Sequence, residues 1–531
     1  MSLYILLIAC VILICILLNK ISSKLGIPML LAFIILGMLF GSDGVVKIPF
    51  DNYVIAEQIC SVALIFIMFY GGFGTNWNQA RPIAIKSVLL STIGVILTAF
   101  ITGLFCFYVL GFEFFESLLI GSVISSTDAA SVFSILRSKR LNLKDNTASM
   151  LEVESGSNDP CSYMLTVICL ATMSGELSGG QLTYMIFAQL VYGILLGIVV
   201  AVVAVWILTK IKFSTDGFDT IFVFSMPLIA YALSTLIGGN GYLSVYILGI
   251  ILGNQSIPNK KSLVHFFDGV TGLMQMLIFF LLGLLAFPSQ LPAILLPSLA
   301  IAIFLTFIAR PLVVFAILSP FKGTLNQKLL VSWSGLRGAA SIVFAIMATV
   351  SPTYMKNDIF HMVFFIVLFS ISLQGSLIPF MAKKWDMIDD EDNVLKTFSD
   401  YSDEVPVQFI KLPITSNHSW NGKKIKDIPL LPDVLLVLIL RGDRRIVPKG
   451  HTLIQAGDCV ILSALSLEEE LGIYLTEVEV EKGNDWLGKS LSQIALGPEK
   501  LIILIKREDN VLIPNGQTII KENDILVMSQ L

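Results

Sequence analysis

Charge is scarce in this chain. Asp, Glu, Lys and Arg make up 14% of its 531 residues, against 55% hydrophobic, a balance that excludes a soluble enzyme and a disordered chain alike. Histidine is nearly absent, and the seven cysteines form no CxxC and no Cys/His cluster at metal-ligand spacing. No resident metal, cofactor or disulfide framework is therefore expected. Six of the cysteines lie in apolar stretches and read as small fillers. No basic patch suggests nucleic acid, and the net charge of −4 says little about partners. The opening run MSLYILLIACVILICILLNK lacks a basic start and a small-residue cleavage site, so it reads as a retained first span, not a signal peptide. There is no TVGYG-like filter of the kind a cation channel uses. An intramembrane aspartyl protease is disfavoured because neither membrane aspartate has a Gly-x-Gly-Asp context.

What the chain has in quantity is long apolar runs, nearly all before Trp385. About 20 apolar residues are needed to cross a bilayer. By that criterion thirteen candidate spans are centred near residues 11, 35, 63, 98, 125, 160, 196, 227, 247, 275, 304, 338 and 369. Sixteen Lys and Arg residues, from Lys20 through Lys384, fall in the connections after odd-numbered spans, and only Lys47 and Lys356 in the opposite set. That bias predicts a multi-pass protein of the inner (plasma) membrane with its N-terminus outside and its C-terminal part cytoplasmic. Membrane lipids are its expected surroundings.

Ionisable groups inside such spans are costly, about 2.5–3.5 kcal/mol each on insertion scales, and mark function. Span five carries Ser125-Ser126-Thr127-Asp128, whose side chains compete with helical hydrogen bonding. Span twelve carries SWSGLRGAAS, with Gly335 and Gly338 about Arg337. Thirteen spans divide as six, one and six, so these two correspond in inverted halves, and matched broken helices point to a transporter's midplane site. In span six, Glu154 and Asn158 form one helical stripe and Ser155 and Asp159 another. Glu154 is the natural partner for Arg337, while Asp159 would share a cavity with Asp128. The competing reading makes Asp128 an N-cap and Asn158 and Asp159 a buried polar network. Arg310 reads as a snorkelling or helix-pinning charge.

The order ISSTDAASV, LEVESGSNDP and SGLRGAAS resembles the monovalent cation/proton antiporters, in the branch with an Asn-Asp pair in span six. The resemblance covers roughly residues 1–385. It implies a thirteen-span inverted-repeat fold, a homodimer with a moving core, and electroneutral exchange. It casts Asp159 as the carboxylate that carries proton and ion in turn, Thr127 and Ser155 as oxygen ligands, and Asp128 as a second ligand or stabilising charge. Glu154, Asn158 and Arg337 become the structural network of span six. Where many relatives place an acidic residue before Gly-Gly, this chain has Tyr70, a neutral phenol, which is a candidate for ion selectivity. Potassium is the expected ion, with sodium as the alternative.

After an acidic linker, 386–404, the tail repeats itself at an offset of 66 residues, pairing Trp420 with Trp486, Pro432 with Pro498, Arg441 with Arg507 and Asp458 with Asp524. Each copy, 405–465 and 466–531, reads as an α+β module: a short helix after Gly-Lys, then strands about a Pro-x-Gly turn. The pattern resembles the C-terminal module of RCK-type regulators, without their nucleotide-binding half. That implies a gate for a small regulator, a cyclic dinucleotide in some relatives. Arg441, Arg444 and Arg445 are the candidates to meet its phosphates; a tail that only folds or dimerises is the competing reading. The expected whole is an all-α polytopic membrane domain with inverted repeats and discontinuous helices, plus a cytoplasmic α+β tandem-repeat domain.

Overall fold

The computed structural model describes Ser2, Leu6 and residues 9–17, 29–389, 407–465 and 474–530, with short gaps that include 129–130, 133–134, 137–140, 431–433 and 495–499. The chain forms two compact units, Met1–Val394 and Leu395–Leu531. Most of the expected linker, 390–404, lies outside the described residues, as do Pro432 and Pro498.

Among the described residues of the first unit, seven helices are long and apolar enough to cross a membrane: Tyr53–Gly74, Ala84–Tyr108, Gly179–Lys210, Phe218–Leu236, Ser262–Leu285, Ile294–Leu318 and Ile359–Lys384. Met29–Phe40, Phe114–Val123, Gly241–Gly253 and Ala339–Val350 are shorter apolar helices. The helix Thr147–Met173 is as long as the spans but far more polar, because it carries Glu152, Glu154, Asn158 and Asp159. Each of the thirteen expected span centres falls in helix, except 125 and 338. Those two fall in breaks, over Ser125–Asp128 and Gly335–Gly338, where backbone hydrogen bonding leaves the helical pattern.

The helices sort into two packed groups. In one, glycines let backbones meet. Gly37 of Met29–Phe40 lies against Gly283, and Gly72 of Tyr53–Gly74 lies against Tyr246 and Ile250. In the other, Gly103 of Ala84–Tyr108 meets Ser117 and Leu118 of Phe114–Val123, and Thr147–Met173 packs on both. Ala339–Val350, buried along nearly its whole length, touches both groups. Two short π-helical stretches, Leu305–Ala309 and Ser370–Gly375, interrupt their spans. Such stretches commonly re-aim side chains at functional sites.

Residues 386–388, placed by the sequence at the start of the linker, are tied to the first unit. The Lys144 amide donates to the Met387 carbonyl at 3.0 Å, and Leu143 and Ile388 form an antiparallel bridge.

The tail holds two four-stranded antiparallel sheets built alike. The first contains β1 (Val407–Pro413), β2 (Leu435–Arg441), β3 (Arg444–Ile446) and β4 (Asp458–Leu465) in the order β1-β4-β2-β3. The second contains β5 (Tyr474–Glu479), β6 (Lys500–Arg507), β7 (Asn510–Leu512) and β8 (Ile525–Gln530) in the order β5-β8-β6-β7. Even the register shift repeats, at Leu436/Leu438 and again at Ile502/Leu504. The short helix expected after Gly-Lys is only a single 3-10 turn, Ile425–Asp427 and Leu491–Gln493. Trp420 and Trp486 pack on the two sheet cores.

Candidate functional site

The breaks at Ser125–Asp128 and Gly335–Gly338 lie against each other. The Asp128 amide donates to the Leu336 carbonyl at 2.8 Å, and the Ser126 and Ser341 hydroxyls are 3.4 Å apart. Where a helix unwinds, its last carbonyls lose their partners. Arg337 supplies them: its Nη1 donates to the carbonyls of Ser125 at 2.9 Å and Ser126 at 2.5 Å, while its own amide donates to Ser370 Oγ at 3.1 Å. The Ser370 hydroxyl donates in turn to Gln374 Oε1, and Gln374 Nε2 donates to the Trp333 carbonyl. The second π-stretch thus wraps the second break.

Asp128 caps the helix that resumes after the first break. Its carboxylate accepts the Ser131 amide at 3.1 Å and the Ser131 hydroxyl at 2.5 Å. The capping reading of Asp128 therefore holds, and the residue nonetheless lines the cavity that Asp159 faces. Gly338 makes this approach workable, since a Cβ there would fall on the Asp128 carboxylate.

From Thr147–Met173 the two stripes separate as their spacing requires. Glu154 and Asn158 are buried, and Ser155 and Asp159 face the cavity. Asn158 Nδ2 donates to Thr127 Oγ1 at 2.6 Å and the Ser155 hydroxyl to the Thr127 carbonyl at 2.8 Å, so span six is stitched to the first break. Asp159, Asp128 and Ser126 line the same cavity. Asp159 Oδ1 is buried without a hydrogen-bond partner.

The expected Arg337–Glu154 pair is corrected. Glu154 Oε1 is held by Arg310 Nη2 at 2.5 Å, with both side chains buried. Arg310 does not snorkel: it directly succeeds the π-stretch Leu305–Ala309, whose extra residue turns it inward. Arg337, freed from Glu154, serves backbone carbonyls instead.

Ser126, Thr127, Asp128, Ser155 and Asp159 line one side of a cavity of about 520 Å³, and the other side belongs to the opposite helix group through Tyr70, Gly71, Asp268, Thr271 and Gln275. The Tyr70 hydroxyl donates to Asp268 Oδ1 at 3.2 Å. Asp268, Gln275 and Glu152, also on the lining, are absent from the sequence-based candidates. Asp268, Thr271 and Gln275 stand at i, i+3 and i+7, a polar stripe on an apolar helix that was there to be read.

In the tail, Arg441 is engaged within its own repeat. Its guanidinium holds Asp458 with Nε at 2.7 Å and Nη2 at 2.8 Å, and also donates to the Leu453 carbonyl. Arg507 and Asp524 repeat the clasp. Arg441 beside Asp458 holds that buried carboxyl below the usual value. Arg444 and Arg445 are exposed on the short strand β3.

Residues 8–384 match the family of transmembrane sodium/hydrogen exchangers, and 409–466 and 475–529 each match the TrkA-C domain. A protein of Alkalimonas amylolytica named K(+)/H(+) antiporter NhaP is 38% identical over 375 residues, covering 70% of this chain and 65% of its own length. The K(+)/H(+) antiporter NhaP2 of Shewanella sp. strain MR-4 is 33% identical over 461 residues, covering 85% of this chain and 80% of its own. The solved structure of the sodium proton antiporter MjNhaP1 from Methanocaldococcus jannaschii superposes with a TM-score of 0.62 at 25% identity, over 72% of this chain and 98% of that one.

Proposed function

The chain belongs to the sodium/hydrogen exchanger family, and from that premise we propose that it exchanges potassium for protons at Asp159. It is a transporter, not an enzyme. One observation carries the reading: a cavity-facing carboxylate with an unpartnered buried oxygen, set beside Asp128 where two helices break. A carboxylate that is desolvated binds a proton more readily, and a cation beside it displaces that proton. Proton and cation then compete for one site, and an empty anionic site crosses poorly, which couples the two fluxes. Exchange is one for one and moves no net charge, so concentration gradients drive it.

Ser155, Thr127 and Asp128 supply oxygens around the ion, and the Thr127 carbonyl and half-helix ends add partial charge. Glu154, Asn158 and Arg337 hold the frame, to which Arg310 is added. Tyr70 tunes ion choice through its bond to Asp268. Potassium is favoured by relatives named for it. Sodium is the second reading, supported by the likeness to MjNhaP1.

The chain divides into an antiporter domain to residue 385, a linker over 386–404, and TrkA-C repeats at 405–465 and 466–531. The antiporter sits in the plasma membrane as a homodimer, N-terminus outside and tail cytoplasmic, as the basic-residue bias supports. The tail regulates transport. Its regulator is a phosphate-bearing small molecule such as a cyclic dinucleotide, met by Arg444 and Arg445 and not by the occupied Arg441.

The test is collapse of a pH gradient across proteoliposomes on adding K⁺ or Na⁺, with Asp159→Asn as control. Response to K⁺ alone, lost in the variant, is the expected result. Response to Na⁺ alone would replace the ion, and exchange retained by Asp159→Asn would remove that residue from the mechanism.

A further inference from the structure

The segment where the membrane unit passes into the linker, 385–388, touches the elements that lead into both halves of the ion site. Trp385 stacks edge-on against Trp333, ring centroids 6.4 Å apart, and Trp333 is the last residue of its helix before the second break. Two residues on, Met387 is buried in the cluster that contains Leu143, Leu151 and Trp333. Its carbonyl accepts the Lys144 amide, Ile388 bridges Leu143, and Lys144 Nζ pairs with Asp386 at 3.0 Å.

The loop so gripped, 143–146, runs directly into Thr147–Met173, the helix of Glu154, Ser155, Asn158 and Asp159. It is stiff. Asp145 and Asn146 both hold left-handed backbone (φ 59° and 53°), which only a few side chains tolerate. Gln327 Nε2 donates to the Asp145 carbonyl and the Thr147 hydroxyl, from the helix that ends at Trp333. One short strap therefore holds the entry to the Asp159 helix and the entry to the second break together.

We infer that residues 385–388 are the transmission strap of this transporter, through which the state of the tail is imposed on the ion site. This role rests on the antiporter reading. It places the point of control at the 143–147 loop. A pull on the chain beyond 389 reaches the Asp159 helix through main-chain bonds and the buried Met387 side chain. The Lys144–Asp386 pair is largely exposed, and such pairs contribute little, so Met387 and the bridge carry the grip.

The full-length chain with Cys10 and Cys459 replaced by Ser is the background for the test. Met387→Asp opens the strap by placing a carboxylate in an apolar cluster. Leu143→Cys with Ile388→Cys restores it covalently, because opposed antiparallel residues lie at a Cα separation a disulfide accepts. In proteoliposomes, Met387→Asp is expected to change the maximal K⁺-driven exchange rate by about fivefold or more, the scale of ordinary coupling between sites, with the half-saturating K⁺ concentration unchanged. Adding the cysteine pair and oxidising it is expected to return the rate of the Met387→Asp chain to the starting value, and reduction to undo this. A Met387→Asp rate equal to the background, or an altered rate that oxidation does not restore, overturns the strap. If the background chain exchanges neither ion, the antiporter reading fails on its own. The strap is then judged by amide hydrogen exchange at residues 147–153. Protection lost in Met387→Asp and regained on oxidation supports it, and unchanged protection overturns it.

Discussion

Arg310 is the residue whose role depends most on its neighbours. Its guanidinium and the Glu154 carboxylate are both buried, and removing one partner strands the other charge in a low-dielectric interior. That typically costs about 3–5 kcal/mol, whereas replacing both by apolar groups is often near neutral. Arg310→Met should therefore lower the melting temperature of the purified protein sharply, and Arg310→Met with Glu154→Leu should regain most of the loss. A double variant as unstable as the single one would mean that packing, not charge, decides the site. Gly338 makes a separate residue-scale case. A methyl group there falls on the Asp128 carboxylate and must push it off the Ser131 cap. Gly338→Ala is expected to reduce exchange by about tenfold or more, a barrier change near 1.4 kcal/mol, while the protein still folds. Normal exchange in Gly338→Ala would show that Asp128 need not hold this position.

At the scale of elements, the two breaks were legible and their cross-link was not. Ser125-Ser126-Thr127-Asp128 offers the backbone alternative hydrogen-bond partners, and Gly335 and Gly338 remove side chains where strands of chain must approach. Both are local properties, so sequence exposes them. The same locality explains the separated stripes of Thr147–Met173. Which arginine meets Glu154 depends instead on helical phase. A π-stretch inserts one residue and rotates the next turns of the helix by roughly 100°, so Leu305–Ala309 turns Arg310 from the position its hydropathy suggests. Asp268 carried a local signal in the polar stripe of its own helix, but its bond to Tyr70, nearly two hundred residues away, is a long-range contact that no local pattern exposes. Arg337 joins the broken elements through the Ser125 and Ser126 carbonyls. Arg337→Gln should lose thermal stability and exchange together, because uncapped carbonyls let the breaks part. Full stability with exchange lost would instead place Arg337 in ion handling.

At the scale of the whole molecule, the tail repeats let one half of the tail serve as a control for the other. In each repeat an arginine clasps a buried aspartate, Arg441 with Asp458 and Arg507 with Asp524. Asp458 titrates below its usual 3.8, chiefly because Arg441 hydrogen-bonds its charged form. Burial is the largest single influence on Asp524 and pushes it upward, but the hydrogen bonds from Arg507 and the Lys521 amide, with the charges of those two cations, together outweigh it, and the net shift is again downward. A carboxyl with a depressed folded value stabilises the fold above the unfolded value and loses that contribution as pH falls through the folded one. The clasps are thus intact at neutral pH and release only below the ordinary carboxylate range. Hydrogen exchange on the full chain should find β4 and β8 equally protected from pH 7 to about 4, with both opening at lower pH. In Arg441→Gln the Asp458 carboxyl loses its cation while still buried, which disfavours its charged form, so β4 should already be less protected at neutral pH and regain protection as that carboxyl takes up a proton, while β8 should be unchanged. If both sheets move together, the repeats unfold as one cooperative body. If neither moves, the clasp contributes nothing to the tail, and Arg441 returns to the pool of cations open to a phosphate.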